Sequence, residues 1–405
     1  MLSGIMAYKH SKKERYQTGR KKDGNREQSK RVLILVNHEV VIYNFRLELV
    51  ERLLAEGYEV HISTPVGERI EKLRQLGTII HPISFDRHGM NPMDELGILR
   101  EYNRLLKNIH PIIVFGYTIK PNIYGAIITR AYKIPFVANI TGLGTAVENG
   151  GLKQKLTILM YKAAFGTKYG KIQRVFFQNK QNEAFFKSVV IALNKHKVLP
   201  GSGVNLERYT ITKLPPCGDG KEGMPVKFAF ISRIMVEKGV DLYLDAAEKI
   251  KKDYPSTEFH VCGFFEPEYD RSRLEKLTNK GIIIFHGNIE DVNNFMSQMH
   301  CIVHPTYYPE GISNVLLEAC ATGRPIITTN RPGCRETVCD GVNGYLIPEH
   351  SVKELIFAIK RFLNLSYTEK QNMSAAGRKL VVENFDRSII VDAYMDELYH
   401  LEVAM

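Results

Sequence analysis

Long apolar runs are missing from this chain. No stretch of about eighteen apolar residues occurs, and the N-terminus lacks the apolar middle section of a signal peptide, so neither a membrane-spanning helix nor export is expected. A cytoplasmic location follows from that reading. Cysteine is scarce too. The six cysteines (Cys217, Cys262, Cys301, Cys320, Cys334 and Cys339) lie apart except for the last two, and such a pair without a second pair does not build a zinc site. Most stand in apolar runs or beside turns, where a free thiol packs as a small hydrophobe, as suits a reducing compartment. Acid also falls short of base: 55 Lys and Arg against 44 Asp and Glu leave a formal charge of +11. An excess of that size favours contact with something anionic, whether membrane, nucleic acid or a phosphate-bearing substrate.

Much of the excess lies at the front of the chain. Lys9, Lys12, Lys13, Arg15, Arg20, Lys21, Lys22, Arg26, Lys30 and Arg31 stand among polar residues with almost no apolar content, so residues 1–30 read as a disordered basic tail. A solvated tail, or a start codon assigned too early with Met6 as the alternative, explains it more simply than a function does. The remaining length is enough for two domains, each with its own core.

After the tail, strand-like and helix-like segments alternate. Arg31 to Val36, Glu59 to Ser63, Thr78 to Ile83, Ile112 to Phe115, Phe136 to Ile140 and Arg174 to Gln178 read as buried strands. Between the first two, Leu47, Leu49, Val50, Leu53 and Leu54 recur with helical period up to Gly57. Gly, Pro and polar residues then dominate around residues 200–203 and 215–225, which marks residues 206–225 as a linker. A second set follows: Val226 to Ile231, Glu258 to Cys262, Ile282 to His286, Cys301 to His304, Pro325 to Thr329 and Gly344 to Ile347. The pattern predicts an α/β chain with two Rossmann-like, doubly wound domains facing a cleft, residues 31–205 and 226–385.

One passage carries more chemistry than the rest: Pro309-Glu310-Gly311-Ile312-Ser313-Asn314-Val315-Leu316-Leu317-Glu318-Ala319-Cys320. A Pro/Gly/Ser loop leads into good helix formers from Val315 to Thr322, stopped by Gly323, with Ser313 or Asn314 as the natural N-cap. The free N–H groups of the helix start suit an anion or a hydroxyl-rich ligand. Asn314 and Glu318, four apart, share a helix face, and Glu310 lies just ahead of the tip. Carboxylates repel phosphate but bind polyols, so a sugar joined to a nucleotide diphosphate would use both features. Downstream, Gly323-Arg324-Pro325, the Ile326-Ile327-Thr328-Thr329 run and the Pro332-Gly333-Cys334-Arg335-Glu336 loop complete a βαβ unit whose loops gather at one end.

This passage resembles the retaining nucleotide-sugar glycosyltransferases of family 4, whose hallmark is two Glu residues separated by seven others. The resemblance covers the chain after the tail and is strongest to the subgroup that builds bacterial capsule, O-antigen or other lipid-linked glycans. It implies a GT-B fold, with acceptor on the first domain and donor on the second, and a last helix, residues 386–405, crossing back to the first. By resemblance Glu310 contacts a sugar hydroxyl, the amides of Gly311, Ile312, Ser313, Asn314 and Val315 hold the sugar, and Glu318 holds the ribose. The turn Ser232-Arg233-Ile234-Met235-Val236-Glu237-Lys238-Gly239 places two cations five apart, as the family does to hold donor phosphates. The turns at Gly263 and at Gly287-Asn288-Ile289 would hold uracil, although ordinary strand-end turns explain them almost as well.

The first domain departs from the family pattern. Where a Gly-rich loop is usual stands Asn37-His38-Glu39-Val40-Val41-Ile42-Tyr43-Asn44-Phe45-Arg46, and where a His is often found stands Phe115-Gly116-Tyr117-Thr118-Ile119-Lys120. These variants and Asn139-Ile140-Thr141-Gly142-Leu143-Gly144 match the same subgroup, so Asn44, Arg46, Tyr117, Lys120 and Thr141 are named as acceptor-side cleft residues. His38 and His88 read as ordinary polar loop residues. Residues 151–174 mix Leu152, Leu156, Leu159, Tyr161 and Phe165 with Lys153, Lys155, Lys162, Lys168, Lys171 and Arg174 and little acid, which fits equally a helix resting on an anionic membrane and a core helix with a basic outer face.

The resemblance implies a UDP-sugar donor, a lipid-linked or oligosaccharide acceptor, retention at the anomeric carbon, and a place in the cytoplasm or on the inner face of the membrane. No cofactor and no metal is expected, since Arg233 and Lys238 can balance the diphosphate, and nucleic acid is not an expected partner. Two rivals stand beside this reading: a nucleotide-sugar epimerase of the same two-lobed fold, and a basic polyanion-binding protein.

Overall fold

Two parallel sheets organise the computed structural model, which describes residues 30–84, 92–142, 151–166, 172–189 and 195–404. Expectations for the basic tail before Lys30, and for His88, Leu143, Gly144, Lys168 and Lys171, lie outside the described residues. The first sheet takes β1 (Arg31–Leu35), β2 (Glu59–Thr64), β3 (Ile79–Pro82), β4 (Ile113–Tyr117), β5 (Phe136–Ile140), β6 (Ile172–Phe177) and β7 (His196–Val198), in spatial order β3-β2-β1-β4-β5-β6-β7. The second takes β8 (Val226–Ile231), β9 (Thr257–Cys262), β10 (Ile284–Phe285), β11 (Cys301–His304), β12 (Ile326–Thr329) and β13 (Gly344–Ile347), in order β10-β9-β8-β11-β12-β13. Both sheets reverse their winding beside their first strand, between β1 and β4 and between β8 and β11. Such reversal points open a crevice at the carboxyl ends of the strands.

The strands form where the sequence runs apolar and β-branched without alternation, because helices cover both faces of each sheet. Val32, Leu33, Ile34 and Leu35 of β1 are all buried, as are all five residues of β4 and β5. Expected strands appear within a few residues of their places. Strand β7 was not among them, because three residues carry too little pattern. The segment 39–45 also winds into a short helix rather than a loop, since His38 Nδ1 accepts the Val40 N–H at 3.2 Å and caps it. Helix α1 (Leu47–Ala55) buries Leu49, Val50 and Leu53 and ends before Gly57, whose φ of 80° suits the left-handed turn there.

The two lobes share an internal echo. On β2, His61 sits between Glu59 (2.6 Å) and His81 (2.9 Å); on β9, His260 sits between Glu258 (3.1 Å) and His286 (2.9 Å). Arg31 and Lys227 extend the two chains by pairing with Glu59 and Glu258.

Residues 206–225 contain no helix or strand, yet they are tied to the second lobe. The fully buried Arg324 donates to the carbonyls of Met299, Thr212 and Lys213, while Arg378 donates to Tyr209 O and Tyr367 to Leu214 O. Helix α2 (Gly151–Phe165) lies on the first lobe, and helix α3 (Asn314–Thr322) follows β11 in the second. The final helix, α4 (Arg387–Ala404), packs Ile390, Tyr394, Met395 and Leu398 against Val32, Ile34, Leu49, Val50 and Phe115 of the first lobe. At its start Arg387 is buried and grips Glu48 through both oxygens (2.8 and 2.9 Å), Asn44 O and Gly203 O. Removing one partner of a pair so enclosed strands the other charge. Arg387→Ala is therefore expected to lower unfolding free energy by about 3 kcal/mol, read as a drop in the urea midpoint.

Candidate active site

The carboxyl ends of β8 and β11 release the chain into the crevice between the lobes. β8 ends at Ile231, and the next turn delivers Arg233 and Lys238; β11 ends at His304, and the next loop delivers Tyr308 and Glu310. These meet first-lobe residues Val41, Phe45, Arg46, Thr141, Gln178 and Ser202 around a cleft of about 340 Å³, completed by Pro309, Gly311, Ile312 and Asn314. Of the expected site residues, Arg46, Thr141, Arg233, Lys238, Glu310, Gly311, Ile312 and Asn314 thus come together there.

Lys238 Nζ lies 2.5 Å from Glu310 Oε1, and His304 Nε2 lies 3.4 Å from the same oxygen. Burial opposes ionisation of Glu310, but Lys238 and His304 outweigh it and hold its carboxyl well below the usual carboxylate range. Burial pushes the His304 imidazole down, and its Nδ1 is enclosed without a hydrogen-bond partner. Arg233 pairs with Glu266 at 2.6 Å. Both cations rest on one ring, Lys238 Nζ 4.5 Å and the Arg233 guanidinium carbon 5.2 Å from the centre of Tyr308.

Helix α3 points its N-terminus toward this charge cluster. Its N-cap, Ser313, has extended backbone but makes no side-chain cap bond, and both Ser313 Oγ and Asn314 Oδ1 are buried without a partner. The first N–H groups of a helix also lack internal acceptors. Buried polar atoms of this kind are normally satisfied, so the tip is built for a ligand with several hydroxyls or an anion.

The lobes touch at this loop. Asn179 Nδ2 donates to the carbonyls of Gly311 (2.8 Å) and Glu310 (3.3 Å). Any β-carbon on Gly311 would collide with Gln178 Oε1 and the Thr141 carbonyl, so only glycine permits the approach. Ser313 N–H donates to Gly333 O at 2.8 Å, tying in the second loop of the βαβ unit.

Other expected residues sit elsewhere. Tyr117 is buried beneath the cleft rather than in its lining, and the Arg46 guanidinium stands against both its ring (5.2 Å to the centre) and that of Tyr394 (5.7 Å); it orients Arg46 instead of meeting a ligand. Lys120 is drawn to Glu95 at 2.6 Å, and Asn44 is exposed, contributing its carbonyl to Arg387. Neither lines the cleft, because the turn of helix at residues 39–45 and the Glu95 carboxylate redirect them. Ser313 caps helix α3, and Val315 and Glu318 lie on it, but Val315 and Ile289 pack on the second-lobe core instead. Gly263 has φ 145°, and its N–H donates to Gly287 O at 2.8 Å, joining the two turns named from sequence. Burial raises the Glu318 carboxyl to about 7, against a Tyr209 hydrogen bond and the charges of Arg387 and Arg208. Sequence reasoning missed Tyr308, His304, Gln178, Asn179 and Glu266. Tyr308 adjoins the motif and was open to detection; Glu266 is far from Arg233 in sequence, and only sheet pairing joins them. Among the described residues no group of three His, Cys, Asp or Glu side chains could hold a metal ion.

Comparison with known proteins agrees with this layout. The family model described as glycosyl transferases group 1 matches residues 219–380, and that described as glycosyl transferase 4-like matches residues 31–179. The N,N'-diacetylbacillosaminyl-diphospho-undecaprenol alpha-1,3-N-acetylgalactosaminyltransferase of Campylobacter jejuni is 25% identical over 87% of this chain and 94% of its own length. The UDP-Gal:alpha-D-GlcNAc-diphosphoundecaprenol alpha-1,3-galactosyltransferase of Escherichia coli is 27% identical over 72% of this chain and 77% of its own. The structure of Anabaena Alr3699/HepE in complex with UDP and glucose superposes with a TM-score of 0.73 at 16% identity, covering 91% of this chain and 99% of that one. With a glycosyltransferase signature on each lobe and the two-sheet architecture between them, the chain is a glycosyltransferase of the GT-B fold.

Proposed function

We propose that the chain moves a hexose or N-acetylhexosamine from a UDP-sugar to a lipid-linked glycan acceptor in bacterial surface-polysaccharide synthesis, with retention at the anomeric carbon. The observation that carries this reading is the gathering of two cations and a carboxylate at an unsatisfied helix tip: Arg233 and Lys238 suit a diphosphate, while Glu310, Ser313 and Asn314 suit sugar hydroxyls. The printed names of the Campylobacter jejuni and Escherichia coli relatives specify diphospho-undecaprenol acceptors, which supports the acceptor class.

In this scheme the acceptor hydroxyl attacks the anomeric carbon on the face from which the diphosphate departs. The bond from that carbon to the β-phosphate oxygen breaks, and the acceptor proton passes to the leaving phosphate. Arg233 and Lys238 neutralise the charge that builds there, Glu310 orients the sugar, and Glu318 accepts from the ribose hydroxyls. Preorganised cations at such a point are worth a large factor in rate. Arg233→Ala and Lys238→Ala are each expected to cut acceptor-dependent UDP release by about a hundred- to a thousand-fold with the fold intact by circular dichroism. NMR of the product should show the donor's anomeric configuration; UDP-sugar conversion without acceptor would favour the epimerase reading.

Glu318 adds a pH signature. Its folded value near 7 lies above the ordinary 4.5, so between the two the native chain holds an extra proton. Stability from this group is then present at low pH and lost as pH rises toward 7. Its carboxylate form accepts ribose hydroxyls best, so UDP affinity, measured by calorimetry, should rise more steeply from pH 6 to pH 8 in the natural chain than in Glu318→Gln, where the terminal phosphate of UDP still titrates.

Helix α2 offers the contact with a membrane. Leu152 (83% exposed), Leu159 (62%) and Leu156 face outward with Lys155 and Lys162, while Tyr161, Ala164 and Phe165 are buried on the first lobe. Exposed leucines beside lysines suit an anionic lipid surface. Leu152→Ser/Leu159→Ser is expected to reduce flotation with acidic liposomes at least several-fold; flotation indifferent to acidic lipid would dismiss the contact.

A further inference from the structure

Arg233 is already occupied. Its Nη1 lies 2.6 Å from Glu266 Oε1 while its guanidinium stands over the Tyr308 ring, and this arrangement is built in by the backbone. Glu266 N–H donates to Ile234 O at 3.1 Å, Ile234 N–H donates to Phe264 O at 2.8 Å, and Ile234 and Phe265 form a parallel bridge. The carboxylate is therefore pinned to the residue next to the arginine it holds. Tyr308 is pinned as well, its N–H on Thr306 Oγ1 at 3.1 Å and its carbonyl on Arg331 Nε at 3.1 Å. On the same ring, Lys238 is held by Glu310. Arg233 and Lys238 thus each have one carboxylate partner.

We propose that Glu266 is a positioning residue that competes with the donor's diphosphate for Arg233. Resting on the donor-site reading above, the proposal makes Glu266 an internal anion. It keeps the guanidinium extended over Tyr308 until a diphosphate enters, gives it up then, and takes it back as UDP leaves. Arg233 and Glu266 side chains are 37% and 27% exposed, so water screens their attraction and the pair is weak enough to yield. A diphosphate offers the same fork a doubly anionic partner.

The test is UDP binding by calorimetry together with steady-state kinetics on the full chain. Glu266→Gln keeps the shape but removes the competing charge, and is expected to tighten UDP about 2- to 10-fold, lower the donor KM and slow turnover through delayed UDP release. Glu266→Asp, one methylene short of Arg233, should fall between. In Arg233→Ala/Glu266→Gln the tightening should vanish. A merely structural Glu266 predicts the opposite sign: weaker UDP binding and a lower unfolding temperature. Unchanged or weaker UDP binding by Glu266→Gln, in a variant that unfolds at the natural temperature while Arg233→Ala alone still weakens UDP, overturns the competition and leaves the donor site standing. Should Arg233→Ala also leave UDP affinity untouched, the donor-site reading falls and the competition with it.

Discussion

A lysine and a glutamate from two different strand ends meet in the cleft, and the rest of the site is arranged around their charges. Lys238 comes from the turn after β8, Glu310 from the loop after β11, and these strands are neighbours only because the second sheet reverses its winding between them. A sheet wound in one direction would have put helix crossovers where the ligand is to sit. The pair also explains the helix tip: with Glu310 matched by a cation, a carboxylate stands beside an anion-friendly terminus without repelling what binds there.

The two lobes are joined by more than a linker. Gly311 is pressed against Thr141 and Gln178, Asn179 holds the carbonyls of residues 310 and 311, and the start of α4 is locked to Glu48. The cleft is therefore a product of both domains, with Arg46 and its aromatic support facing Arg233 and Lys238. Ligand sites occur preferentially at such domain interfaces.

Much of the fold was legible because parallel strands covered on both faces announce themselves as unbroken apolar runs, as in Val32 to Leu35 and Val226 to Ile231. Short elements were not: β7 spans three residues, and the helix at 39–45 depends on a His38 cap that composition does not advertise. In the site, the helix tip, Glu310, Arg233 and Lys238 were readable from one loop and one turn each, where local spacing fixes geometry. Tyr117 and Lys120 were misplaced because their direction depends on Arg46, Tyr394 and Glu95, residues distant in sequence. Glu266 and Asn179 escaped for the same reason: each earns its place only through a partner brought in by tertiary packing.

Helix α4 has a bearing on how the polypeptide is made. Ile390, Tyr394, Met395 and Leu398 fill a groove on a domain whose own strands end by residue 198. During synthesis that domain leaves the ribosome with Val32, Leu49, Val50 and Phe115 uncovered, and the segment that seals them is translated well after it. Its apolar flank stays wet while some two hundred further residues emerge, at roughly 5–20 residues per second, and for that interval the nascent chain is a natural client for chaperones.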